Sequence, residues 1–184
     1  MHVFIDFEAS SLAKQSYPIE VAWVFEDGGA ESHLIRPLPG WTDWDESAAS
    51  IHGITRQQLD AEGTSADAVA RHVLERLSGH DLYASSPSWD GKWLSVLLRA
   101  GGLPRHALRL KDTDEAQLAA ARAGLASAVD PSNLDREAAA LIERVRSRSI
   151  NPMIHRALPD AQYELMLWLE VRRTAEEQAR SKGG

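Results

Sequence analysis

The sequence predicts an α/β layer fold with a mixed sheet flanked by helices. Three observations carry that expectation. PIEVAWVFEDGG (18–29) alternates apolar and polar through Ile19, Val21, Trp23 and Phe25, then turns at Asp27-Gly28-Gly29 into another extended run. Two short apolar segments, 80–85 and 106–112, lie on either side of a helical stretch. From residue 114 onward the pattern is almost wholly helical. The order β-β-β-α-β-α-β-α-α-α is too irregular for a doubly wound sheet.

Each element has a local reason. Val3, Phe4 and Ile5 make residues 2–6 a strand, and AESHLIRPL (30–38) returns from the turn, giving a three-stranded meander. PGWTDWDESAASIHGIT (39–55), with Pro, Gly and two Trp, reads as a loop. Thr64 or Ser65 caps a helix to about Leu77, with Ala68, Val69, Val73, Leu74 and Leu77 on one face. HDLYAS (80–85) is a strand. Asp90 precedes a helix, KWLSVLLRAGG, closed by Gly101-Gly102, and HALRLKD (106–112) is the last strand. Helices follow at 114–126 and 133–148, the second capped by Asn133 or Asp135. NPMIHRALP (151–159) is a loop, and Pro159 opens a final helix to about Glu177. Residues 1–178 then form one domain, and 179–184 a frayed tail.

Composition narrows the classes. A chain of 184 residues can bury a core, and 43% apolar residues exclude a disordered one. No apolar run is long enough to span a bilayer, and no basic-then-apolar leader opens the sequence. Cysteine is absent, which excludes disulfides, thiolate metal sites and cysteine nucleophiles. A cytoplasmic location is the expectation. The net charge, 20 − 27 = −7, argues against a nonspecific duplex binder, which needs a basic footprint. It leaves room for a small contact, such as a strand end or a short oligonucleotide.

The first strand ends on two acids, in FIDFEASSL. Side chains alternate along a strand, so Asp6 and Glu8 share a face and Phe7 points to the other, toward a core. Two carboxylates this close repel unless a cation lies between them, and hard divalent cations such as Mg²⁺ or Mn²⁺ take oxygen ligands. Two ordinary surface acids at a strand end would look the same. Asp90 opens a helix, where an acid complements the helix dipole whatever else it does. Asp160 falls in the first turn after Pro159, and His155 lies in the loop before it, free to approach a substrate. Trp89 and Trp93, four residues apart, are expected to pack in the core.

Taken in order, a strand-borne D-x-E, an Asp at a mid-chain helix start and H-x-x-x-x-D opening the last helix resemble the DEDDh 3′-5′ exonucleases. That branch includes oligoribonuclease, ribonuclease T and the proofreading subunit of DNA polymerase III. The matching segments are FIDFEASSL, SAASIHGIT, SPSWDGKWL and HRALPDA, which reach from residue 3 to residue 161. His155, where the sister branch has Tyr, is the most specific of these features. Ala9-Ser10-Ser11 stand where the family often has Thr-Thr-Gly, and 114–150 carries no matching motif.

The resemblance implies a ribonuclease H-like fold, with a five-stranded mixed sheet flanked by helices. It implies hydrolysis of single-stranded RNA or DNA from the 3′ end to nucleoside 5′-monophosphates, often by a homodimer. Two Mg²⁺ or Mn²⁺ ions would be held by Asp6, Glu8 and Asp160 directly, and by Asp90 directly or through water. His155 would be the general base. Ile51, His52, Gly53 and Ile54 would form the floor of the substrate pocket, or else a turn with apolar anchors. Trp41 and Trp44 would stack bases or cover a sheet edge. Two rival functions remain beside the nuclease: a non-catalytic nucleic-acid-binding or partner module of the same fold, and a small-nucleotide phosphodiesterase.

Overall fold

A computed structural model of the chain describes residues 1–150 and 154–183. Six strands form one sheet: β1 (His2–Ala9), β2 (Pro18–Phe25), β3 (Ala30–Arg36), β4 (Thr64–Ser65), β5 (Asp81–Ala84) and β6 (Leu110–Asp112). Seven helices accompany them: α1 (Glu46–His52), α2 (Arg56–Glu62), α3 (Ala66–Leu77), α4 (Pro87–Ala100), α5 (Thr113–Leu125), α6 (Leu134–Arg148) and α7 (Ala157–Gly183). The strand order is β4-β3-β2-β1-β5-β6. β1–β2 and β2–β3 pair antiparallel, whereas β1–β5 and β5–β6 pair parallel. β1 therefore sits where the sheet changes from antiparallel to parallel.

Strand parity divides the core. Val3, Ile5 and Phe7 of β1, with Val21, Trp23 and Phe25 of β2, pack under α3 and α4 through Val69, Val73, Leu94 and Leu97. Phe4 and Val24 face the other way, onto Ala161, Leu165 and Trp168 of α7 and Ala116 of α5. α5, α6 and α7 share a third cluster around Leu125, Leu141 and Val171. Burying one such Leu or Val contributes about 1.5–3 kcal/mol, so β1 is anchored on both faces and its end is a rigid support.

The sheet has six strands where five were expected. The extra one, β4, is two residues that pair parallel with Ile35 and Arg36 just before α3 begins. A pair of residues carries no periodicity. The segment 39–55 is not all loop either: it contains α1, and α2 follows it. Asp45 caps α1 by accepting from Ser47 N, and Gly53 ends it in the left-handed region at φ 69°. Thr55 caps α2 by accepting from Gln58 N. Each of these helices buries a single residue, His52 or Leu59, so neither shows an apolar stripe and only the caps betray them.

Other boundaries moved. α4 starts at Pro87, so Asp90 lies inside its first turn. β6 occupies only the end of 106–112. α7 starts before Pro159 and runs on to Gly183, past the expected end at Glu177. Of the loop read over 151–159, residues 151–153 lie outside the described residues. No helix among the described residues is long and apolar enough to cross a membrane.

Candidate active site

Asp6 and Glu8 leave β1 on the face that meets α7. At Glu8/Ala9 the register with β2 shifts, as the strand turns out of the sheet. Asp160, in the first turn of α7, comes down over the same spot. Carboxylate oxygens of Asp6, Glu8 and Asp160 lie within 4.8 Å of one another. Asp90 approaches from α4, only 2% exposed. Together with His155, these four acids line a cavity of about 320 Å³, walled also by Leu12, Ser85, Ser86 and Trp89. A larger groove, about 720 Å³, runs between α5 and α7, but among the described residues Glu176 is the only acid lining it. Convergent charge, not size, singles out the smaller cavity.

The electrostatics are those of acids crowded in a desolvated cleft. Burial pushes the Asp6 carboxyl well up, and the charges of Asp90, Glu8, Asp160 and Glu164 push it further. Burial raises Glu8 to about 7, with help from Asp160 and Glu20 and against Arg156. Asp90 is also raised to about 7 by burial, although backbone N–H groups of Ser86, Phe7 and Asp90 itself oppose the rise. A helix dipole favours an acid by only about 0.3–1 kcal/mol, so here burial wins over the dipole. Asp160 is raised by burial, with His155 opposing. Asp90 Oδ2 is buried with no hydrogen-bond partner. An all-oxygen donor set, mutually repulsive and with one buried oxygen left without a partner, fits hard divalent cations.

A pH dependence follows. Glu8 and Asp90 hold protons in the folded chain up to about 7, against ordinary values of 4.5 and 3.8. Between those values the folded state binds more protons than the unfolded one. The stability this provides is complete below pH 3.8 and is lost as pH rises through about 7, on the order of 3 kcal/mol per group. With a chelator present, the urea midpoint is therefore expected to fall between pH 5.5 and pH 8.

What holds the cleft in shape was missed in the sequence. Glu20, 2% exposed, accepts from Arg156 Nε at 2.9 Å and Arg156 Nη2 at 2.7 Å. It also accepts from the Ala157 backbone N–H at 3.2 Å, one of the unpaired donors that open α7. This fixes the segment bearing His155 and Asp160 against β2. His155 has φ 51°, a left-handed conformation that a non-glycine residue adopts at some cost. The one signal in the sequence was that Glu20 interrupts an apolar strand; the structure sets it directly opposite Glu8 in register. Glu164, one turn beyond Asp160, adds a further carboxyl whose proton affinity burial raises. Glu20→Ala should destabilise the chain by about 1–3 kcal/mol in urea denaturation, below the usual loss for a fully buried pair because the Arg156 side chain is 38% exposed. Turnover should fall with it.

The residues expected to floor the pocket do not line this cavity. Ile54 is fully buried with Tyr17, Ile19 and Leu59. His52 is buried, and its Nδ1 accepts from Ile54 N at 3.0 Å. Gly53 ends α1, and Ile51 is exposed. Ser10 O accepts from Asp45 N at 3.0 Å, which ties the start of α1 to the end of β1. Trp41 stacks on Tyr17 at 5.0 Å and Trp44 packs on the same cluster, so both cover core. Trp93 is buried, as expected, but its stacking partner Trp89 is 38% exposed, and both border the cavity.

No protein-family model matches the sequence, and neither does any curated protein sequence. Solved structures do match. The zinc-bound form of the E. coli exonuclease I complex with single-stranded DNA superposes with a TM-score of 0.67 at 16% identity. The same enzyme in complex with a dA16 oligonucleotide gives 0.67 at 15%. Each match covers 98% of this chain and 42% of that one, so the chain spans less than half the length of exonuclease I. A 3′-exonuclease in a structure of 3′-end-specific recognition of histone mRNA stem-loop gives 0.65 at 17%, covering 95% of this chain and 64% of that one. At these identities the likeness establishes the fold: a mixed α/β sheet flanked by helices, as in these exonucleases.

Proposed function

We propose that the chain is a divalent-cation-dependent 3′-5′ exonuclease of the DEDDh type, acting on the 3′ ends of single-stranded RNA or DNA. One observation carries this reading: Asp6, Glu8, Asp90, His155 and Asp160, from three remote segments, line a single cavity. Two neighbours in fold support the substrate class, because exonuclease I is in complex with single-stranded DNA and the other is a 3′-exonuclease in 3′-end-specific recognition of a histone mRNA stem-loop.

Asp6, Glu8 and Asp160 would hold two Mg²⁺ or Mn²⁺ ions, with Asp90 completing the set. Cations there would stabilise charge on the scissile phosphate and the departing 3′ oxygen. His155 borders the same cavity and would accept the proton of the attacking water, a role suited to imidazole near neutrality. The Glu20–Arg156 pair holds that imidazole and Asp160 in register. Trp89 is 38% exposed at the cavity wall, where its ring would pack beside a terminal nucleotide, with Lys92 Nζ 4.9 Å from the ring as a nearby positive charge. Of residues 51–54, Ile51 and Gly53 are exposed and free to touch a nucleotide, while His52 and Ile54 are buried and set the position of α1.

The test is a 5′-labelled single-stranded oligonucleotide incubated with Mg²⁺ or Mn²⁺, alongside a dinucleotide and a model phosphodiester. A ladder shortening from the 3′ end, absent with chelator, is the expected result. Hydrolysis of the small diesters alone would favour a small-nucleotide phosphodiesterase, and no cation-dependent hydrolysis at all would sink the enzyme reading.

A further inference from the structure

We propose that Glu31, His33 and His72 form a second metal site, of the Zn²⁺ class, on the sheet face opposite the acidic cleft. Glu31 and His33 are alternate residues of β3, so they share a face. Their partners on β2 are Trp23 and Val21, which put them on the side packed against α3. His72 comes from α3. One ligand atom from each of the three residues lies within 4.8 Å of the other two.

The arrangement converges on one oxygen. His72 Nε2 lies 2.6 Å from Glu31 Oε2, and His33 Nε2 lies 3.5 Å from the same atom. Tetrahedral zinc, with bonds of 2.0–2.2 Å, sets its ligand atoms roughly 3.3 Å apart, so His33 already stands near that spacing from Oε2, whereas His72, hydrogen-bonded at 2.6 Å, would give up that bond and move outward on binding. The other oxygen, Oε1, is occupied: it accepts from Arg76 Nε at 2.8 Å. Arg76 thus orients the carboxylate and leaves Oε2 to the imidazoles, as outer partners of metal ligands do. Trp23 stacks on His33 at 5.2 Å and lies tilted against His72 at 5.8 Å, holding both rings.

A plain ion-pair network is the rival. In it Glu31 is shared by His72, by Arg76 and, at 3.5 Å, by His33. That reading leaves His33 Nε2 poorly satisfied: it is buried with no well-formed hydrogen bond, and its nearest acceptor, Glu31 Oε2 at 3.5 Å, is already held by His72 at 2.6 Å. A cation bridging the three residues satisfies it. The donor chemistry also separates the two sites. Two imidazoles with one carboxylate suit Zn²⁺, whereas the all-carboxylate cleft suits harder Mg²⁺ or Mn²⁺. Three protein ligands leave a fourth position open, and the metal would staple β3 to α3.

The test first removes two of the three clustered cleft acids, because they too can bind metal. Asp6→Asn/Asp160→Asn protein is titrated with Zn²⁺ by calorimetry and with Co²⁺ by visible absorption. About one equivalent of Zn²⁺ should still bind and raise the melting temperature, and Co²⁺ should give the intense d–d bands of a four-coordinate site. His72→Gln in that background should weaken binding at least tenfold and abolish the Zn²⁺-dependent rise. Glu31→Gln should do the same, which guards against a folding defect in either variant alone. Absence of Zn²⁺ binding in the doubly substituted protein, or binding unchanged by both His72→Gln and Glu31→Gln, would overturn the assignment.

Discussion

Asp6→Asn is expected to abolish cation-dependent hydrolysis while making the cation-free protein more stable at pH 8. The first effect should be roughly 10³-fold or more in rate, about 4 kcal/mol of barrier, because Asp6 sits at the centre of the acid cluster. Its carboxyl feels Asp90, Glu8, Asp160 and Glu164 together with its own burial. The second effect has the opposite sign for the same reason. At pH 8 without cation, a carboxylate at this position adds repulsion to a desolvated cluster, and a neutral amide removes it. Activity assays with Mn²⁺ and melting curves in chelator measure the pair. A loss of activity accompanied by a loss of cation-free stability would point to a structural role for Asp6 instead.

His155→Asn is the second large effect. Turnover on a single-stranded oligonucleotide should fall by about 10²–10⁴-fold, the range for loss of a positioned general base. Asn is chosen because it tolerates the left-handed conformation that His155 adopts at φ 51°, so the backbone can keep its path. Since the acids are untouched, Mg²⁺ affinity should persist. Calorimetry separates the outcomes: equal loss of cation binding and turnover would mean that His155 shapes the cation site and takes no proton.

Strand parity made much of this legible. D-x-E in β1 placed both acids on one face and Phe7 in the opposite core, where it is 4% exposed. Glycine, proline and capping residues gave most helices to within a few positions. What escaped was short or relational. β4 is two residues long and exists only because Ile35 and Arg36 offer it a partner. α1 and α2 bury one residue each and so lack an apolar stripe. Asp90 looked like an ordinary acid at a helix start, and only its burial beside Asp6 distinguishes it. The role of Glu20 depends on Arg156, which is remote in sequence. Trp89 and Trp93 form one stacked pair that borders the cleft, yet one ring is buried and the other exposed, a distinction that spacing alone does not carry.

The most direct test of the acidic cleft as a cation site is the melting temperature at pH 8, in chelator and in Mg²⁺, for the native chain and for Asp6→Asn/Asp160→Asn. Mg²⁺ should raise it by several degrees in the native chain, by relieving the carboxylate repulsion, and leave the doubly substituted protein unmoved. An equal response in both proteins, or none in either, would contradict the account.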